Sequence, residues 1–230
     1  MVVAIDGPAG VGKSSIAKMI AERMGIFYLN SGNFYRAITL SLIENGIDIK
    51  DEDAVVKCAE KCQITVKNHH VHLNGADVES RLHSDAVDAI VAPVSAIIPV
   101  RHIVNASLQE LAKSLDLITE GRDVTTVVFP DADYKFYFDA DADSRARRRF
   151  EQGTSNMSIE EIKASIIERD RIDRNKAFGA LKIAEDSIYI DTTGLTIDQV
   201  YAKVTDSIKK NYEYMLIPSS IIEKEVIDFN

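Results

Sequence analysis

The 230-residue chain predicts an α/β fold, a parallel β-sheet flanked by helices and interrupted by a small antiparallel β insertion. Three observations carry that prediction. Short β-branched or aromatic runs alternate with helical stripes along most of the chain, the pattern of parallel strands joined by crossover helices. One strand-to-helix junction, Gly7 to Ser14, is a glycine-rich loop of the form G-x-x-x-x-G-K-[ST]. Residues 63–78 alternate at period two and carry Asn74-Gly75, a strong hairpin signal.

Residues 2–5 are a β-branched run suited to a fully buried parallel strand. Residues 13–24 follow as a helix, with Ile16, Met19, Ile20 and Met24 on one stripe. A short strand is expected at 27–29, helices at 33–42 and 53–62, and the small sheet at 63–78. Helical patterns resume near Ser84, are broken at Pro93 and Pro99, and run through 100–115 as one helix. Strands at 117–120 and 134–138 enclose Arg122 and Asp123. A short basic helix at 143–151 leads through a loop at 152–156 into a long helix at 158–175, with Ile159, Ile162 and Ile166 inward. The last strand is expected at 187–191, and Ile197, Val200, Tyr201, Val204 and Ile208 mark a closing helix. In the tail at 211–230, Ser220 and Glu223 read as a capping box.

Composition narrows the class. With 46% hydrophobic and 27% charged residues, the chain is neither disordered, collagenous nor a coiled coil. A chain this long buries roughly 70–75% of its unfolded surface and needs no disulfide or metal staple. Its 27 basic and 36 acidic residues, a net charge of −9, argue against a duplex nucleic-acid partner. Cys58 and Cys62, one helical turn apart, make no zinc site and read as reduced thiols of a cytoplasmic chain. Asp6 interrupts the first apolar run too early for a signal peptide. The longest apolar stretch, residues 89–100, contains two prolines and is too short to span a bilayer, so no membrane partner is expected. His69, His70 and His72 fall on alternating faces of the hairpin and are expected as surface residues.

The glycine-rich loop is the sharpest chemical signal. Its glycines allow successive N–H groups to turn inward around a phosphate, and the following helix adds its positive end. Gly7, Pro8, Ala9, Gly10, Val11, Gly12, Lys13, Ser14 and Ser15 are therefore expected to cradle ATP. Lys13 would reach the β- and γ-phosphates, and Ser14 would ligate Mg²⁺. A GTPase is not indicated, since Asn175-Lys176-Ala177-Phe178 lacks the Asp of N-K-x-D. The D-x-x-G run at 191–194 falls after it, in the wrong order, and reads as a coincidence.

Moving a phosphoryl group between two nucleotides brings two charged phosphates into contact. Unit charges about 4 Å apart repel by about 4 kcal/mol at an effective dielectric near ~20. Such chemistry needs arginines beyond Lys13. The chain supplies Arg36, Arg101, Arg122, a cluster of Arg145, Arg147, Arg148 and Arg149, and Arg169, Arg171 and Arg174 with Lys176. Any one cluster also fits a solvated helix face. Taken together they lie near predicted strand ends and a lid-like loop, where α/β sheets bind ligands.

These segments together resemble the bacterial cytidylate kinases, a family of P-loop nucleoside-monophosphate kinases. The likeness rests on the loop after Asp6, on Ser31-Gly-x-x-Tyr35-Arg36, on Gly121-Arg122-Asp123, and on Arg169-Asp-x-x-Asp173-Arg-Asn175, in the family's order over about residues 2–210. It implies a P-loop NTPase core at 1–210, with a monophosphate-binding insertion at about 63–100 and a lid at about 145–176. ATP would be the donor and CMP or dCMP the acceptor, with Mg²⁺ as cofactor and a monomer as the working unit.

By the same resemblance Ser31, Tyr35 and Arg36 would belong to the acceptor site. Arg122 would be a second phosphate arginine. Asp123 would accept from the cytosine amino group and Arg101 would donate to the neighbouring acceptors. Arg169 and Asp173 would hold the ribose, Arg145 and Arg148 would be lid arginines on the ATP phosphates, and Glu120 would orient hydrated Mg²⁺. Lys13, Arg122, Arg145 and Arg148 would be the catalytic cations. Three positions depart from the family pattern: Thr125 replaces a Gly, Lys176 replaces an Arg, and the stretch before Arg101 is short around Ser95. The alternatives are the same fold acting on UMP or a small metabolite, or a protein that uses ATP as a switch.

Overall fold

A computed structural model describes residues 1–67, 70–153 and 157–216, with side chains as far as residue 208. The chain opens with strand β1 (Val2–Asp6), helix α1 (Lys13–Met24), β2 (Phe27–Leu29), α2 (Ser31–Glu44) and α3 (Glu52–Lys61). The antiparallel insertion follows, made of β3 (Ile64–Lys67), β4 (His70–Leu73) and β5 (Ala76–Asp77). Helices α4 (Asp85–Ala96) and α5 (Ile98–Ala112) lead to β6 (Leu117–Gly121), a π-helical turn at Val124–Val128, and β7 (Tyr134–Asp139). Helices α6 (Ala142–Glu151) and α7 (Ile159–Arg174), strand β8 (Ile188–Asp191) and helix α8 (Ile197–Leu216) complete the chain.

The main sheet has the order β2-β6-β1-β7-β8, parallel throughout. β1 lies at its centre, and its alternation builds both halves of the core. Ala4 points into a cluster with Leu29, Phe34, Ile38, Val104 and Leu117, covered by α2, α3 and α5. Val3 and Ile5 point the other way, onto Ile16, Ile20, Phe136, Phe138 and Val204, covered by α1 and α8. A third cluster seats the insertion on α2, through Ala37, Leu40, Val71, Leu73 and Leu82. Helices α6 and α7 share only a small cluster, Ala146, Ile162 and Ile166.

The local signals place most element bounds within a few residues. Asn74 (φ 51°) and Gly75 (φ 86°) form the two-residue turn between β4 and β5. Pro93 does not break its helix as expected, but lies inside α4 on the exposed side. There the carbonyl it leaves unpaired can face water, while Val87 and Val94 stay buried. The actual break is at Ile97, where α4 and α5 meet at 98°, with Pro99 in the first turn of α5. No single helix among the described residues is long and apolar enough to cross a membrane. The closing helix runs on to Leu216, into the predicted tail. His69 and the expected capping box at Ser220 and Glu223 lie outside the described residues. His70 is exposed and bonds Asp77 at 2.7 Å.

Candidate active site

β1 and β6 end side by side, Ile5 opposite Glu120 and Asp6 opposite Gly121. The loop after β1 and the segment after β6 therefore open into one crevice at the carboxyl edge of the sheet. The loop passes so close to β7 that a Cβ on Gly7 would lie 2.2 Å from the Phe138 carbonyl oxygen, which leaves room for glycine alone. Helices α2, α3, α6 and α7 are capped by Asn30, Asp51, Asp141 and Ser158, whereas α1, like α4 and α5, opens without a side-chain cap, here at Gly12. Its first N–H groups remain available to an anion.

The crevice encloses about 910 Å³ and is lined by the loop from Ala9 to Ser15 with Glu120, Arg122, Arg148, Arg149 and Arg169. Lys13 Nζ donates to the carbonyls of Gly7 and Pro8, 2.8 Å each. Burial, then the Arg122 charge, push its pKa down to about 7. A polyanion beside it would oppose both by favouring the charged form. Ser14 Oγ donates to Glu120 Oε1 at 2.9 Å, and Tyr28 Oη donates to the same oxygen at 3.4 Å. A hydroxyl and a carboxylate at the mouth of a phosphate loop fit Mg²⁺, which takes few protein oxygens and keeps several waters.

Asp173 gathers the cations on the far wall. Arg122 Nε lies 2.8 Å from it, Lys176 Nζ 2.6 Å and Arg169 Nε 3.8 Å. Burial works to raise the Asp173 carboxyl, but Lys176 and Arg122 hold it below the usual carboxylate range. Of these three cations, Arg122 and Arg169 also line the crevice. Lys176 thus keeps a place in this cluster despite lacking an arginine's fork.

Close by, Arg101 Nη2 donates to Asp123 Oδ2 at 2.6 Å and Nη1 to the Ser95 carbonyl at 3.3 Å. Its guanidinium lies 5.8 Å from the Tyr35 ring, and its Nε is buried without a hydrogen-bond partner. Burial pushes the Tyr35 hydroxyl up to about 12, so it stays a donor. Ser95 takes part through its carbonyl, while its hydroxyl donates to Ala92 O.

Three further expected site residues are held by contacts within the fold. Arg145 lies beneath the loop, its Nη1 donating to Asp170 Oδ2 at 2.5 Å and to Ala9 O at 3.1 Å. Arg36 turns toward α4, bonding Asp88 and the Leu82 carbonyl. Ser31 opens α2 behind its Asn30 cap. Arg148 does line the crevice, but it is tied to Thr192 Oγ1 at 3.1 Å and Thr192 O at 2.5 Å.

The cytidylate kinase family model matches residues 3–210. The chain belongs to the cytidylate kinase family. The cytidylate kinase of Caldanaerobacter subterraneus subsp. tengcongensis is 39% identical over 213 residues, covering 91% of this chain and 95% of that one. That of Borrelia turicatae is 41% identical over 205 residues, covering 87% and 92%. A gluconokinase from Sinorhizobium meliloti shares the fold at a TM-score of 0.51 and 11% identity, covering 95% of this chain and 97% of its own.

In this cytidylate kinase chain, several residues around the crevice escape sequence reading. Asp6 is fully buried and accepts from Val124 N (3.0 Å), Thr125 N (2.7 Å) and Thr125 Oγ1 (2.6 Å). Thr125, out of pattern as a replacement for Gly, thus supplies a hydroxyl to a buried carboxylate. Asp170 holds Arg145 and also accepts from Ala9 N at 3.3 Å. Leu195, Ile197 and Val200 form one apolar side of the crevice. Thr192 belongs to the D-x-x-G run set aside as a coincidence. Its position at the end of β8 was the available signal, since ligand sites of parallel sheets gather at carboxyl ends of strands.

Proposed function

We propose that this cytidylate kinase transfers the γ-phosphoryl group of ATP to CMP or dCMP, giving ADP with CDP or dCDP. The observation that carries this reading is the convergence of Lys13, the Ser14–Glu120 pair, Arg122 and Arg169 on one crevice, with both arginines paired to Asp173 and the Arg101–Asp123 pair next in the chain to Arg122.

ATP lies with its phosphates in the loop and its adenine toward Leu195, Ile197 and Val200. CMP lies with its phosphate near Arg122, its ribose at Asp173 and its base at Arg101 and Asp123. An oxygen of the CMP phosphate attacks the γ-phosphorus in line as the bond to the ADP oxygen breaks. Lys13 and Arg122 stabilise negative charge on the transferring group. No general base is required, because the acceptor phosphate is ionised at neutral pH. Ser14 and Glu120 would hold Mg²⁺, partly through water, and when bound it supplies further charge neutralisation on the phosphates. Helices α6 and α7 screen the phosphates from water, which protects ATP from hydrolysis.

Coupled ADP release over a panel of monophosphates tests the reading. CMP and dCMP are expected to outrun UMP, dTMP and AMP. If ADP forms no faster with any acceptor than with water alone, the kinase reading fails. Uracil or thymine nucleotides outrunning CMP would overturn the base assignment.

A further inference from the structure

The chain leaving α7 returns across the Arg101–Asp123 pair. Gly179 is buried with φ +66°, and a Cβ built on it would lie 2.2 Å from Asp123 Oδ2 and 2.7 Å from Arg101 Nη2. The main chain at this point therefore touches both members of the pair. It meets Asp123 at the oxygen that is bonded to Arg101. One residue earlier, the Phe178 ring lies 5.6 Å from the Arg101 guanidinium, which the Tyr35 ring also flanks at 5.8 Å. Phe178 is held edge-on by His102, ring centroids 5.1 Å apart. The segment is anchored beyond by buried Leu181, whose N–H donates to the Asp173 carbonyl at 2.8 Å.

We propose that Phe178 and Gly179 are positioning residues for selection of the acceptor base. The proposal rests on the reading of Arg101 and Asp123 as the pair that faces the base. An arginine is long and flexible, and reads hydrogen-bonding edges sharply only when its plane is set in advance. Phe178 and Tyr35 set that plane. Gly179, having no side chain, lets the backbone press against the carboxylate and hold it on Arg101. A side chain there must push Asp123 aside, and φ is already in the region that favours glycine. The same stretch carries Asp173 and Lys176, so the sugar-facing and base-facing groups are braced by one continuous segment.

Steady-state kinetics of Gly179→Ala, Phe178→Ala, Phe178→Tyr and Asp123→Ala with CMP, UMP and ATP test this. Gly179→Ala and Phe178→Ala are expected to raise KM for CMP and to lower the CMP-to-UMP ratio of kcat/KM by about tenfold, which lies between the worth of an exposed and of a desolvated cation–π contact. The KM for ATP and kcat with saturating CMP should stay near wild type. Phe178→Tyr, which keeps the ring face, should restore the ratio. If the ratio holds in both variants while Asp123→Ala collapses it, Phe178 and Gly179 do not position the pair and the base reading stands. If Asp123→Ala also leaves it unchanged, both readings fall. Should Gly179→Ala fail to fold, Phe178→Ala decides, because it removes a half-buried ring without backbone strain. An equal loss there with CMP, UMP and ATP would show a merely structural role and overturn the proposal.

Discussion

At Lys13, deep burial and a neighbouring guanidinium hold an ammonium whose pKa has dropped to about 7, so the free protein near neutrality carries a mixture of charged and neutral forms. A triphosphate in the loop favours the charged form. ATP binding above pH 7 should therefore take up protons, about 0.9 per site at pH 8 and about 0.1 at pH 6, if the bound lysine stays fully charged. Calorimetric titrations in buffers of different ionisation enthalpy measure this uptake, and a value unchanged between those pH values would contradict the assignment. Asp6 offers a second test at the same scale. Burial pushes its carboxyl upward, and the three donors from Val124 and Thr125 offset that only in part. Thr125→Val keeps the shape but removes one donor, and is expected to cost about 1–3 kcal/mol in urea unfolding. Lys13 was legible because its motif is local. Asp6 was not, because its partners lie 118 and 119 positions away.

Among the elements, the contact that matters most to the proposed donor site joins α6 and α7 to the glycine-rich loop. Arg145 donates to the Ala9 carbonyl while Asp170 accepts the Ala9 N–H, and the two side chains pair with each other. The ion pair thus grips both sides of one residue and fixes the loop's entry. Breaking a buried pair by removing one charge costs roughly 3–5 kcal/mol. Asp170→Asn should show such a loss in chemical denaturation, and the folded fraction should bind ATP more weakly while its KM for CMP changes little. Equal changes in the two KM values would place the pair outside the donor site. The extent of α1 was readable from its apolar spacing, and the structure ends the helix at Gly25 in the left-handed conformation. The π-helical turn at Val124–Val128 was not, since it forms around the Asp6 carboxylate rather than from any pattern of its own.

For the molecule as a whole, the proposed function puts the ATP loop and two arginines of the acceptor half, Arg122 and Arg169, around one crevice across the carboxyl ends of β1 and β6. A single ligand that joins adenosine and cytidine through a five-phosphate chain should engage both halves at once. At equal concentration it is expected to raise the melting temperature more than ATP and CMP added together, because the second contact becomes intramolecular. A shift no larger than that of ATP alone would separate the two sites. The sequence by itself determined the α/β order, the phosphate loop, the hairpin insertion and the inventory of cations, since each is written in spacing, turn residues or a local motif. Tertiary structure alone decided which cations face the crevice. It turned Arg122, Arg169 and Lys176 onto Asp173, sent Arg36 to Asp88, and buried Arg145 against Asp170. The physical reason is that a guanidinium on a long side chain goes to whichever carboxylate or carbonyl the packed chain brings within reach, and sequence spacing does not encode that distance.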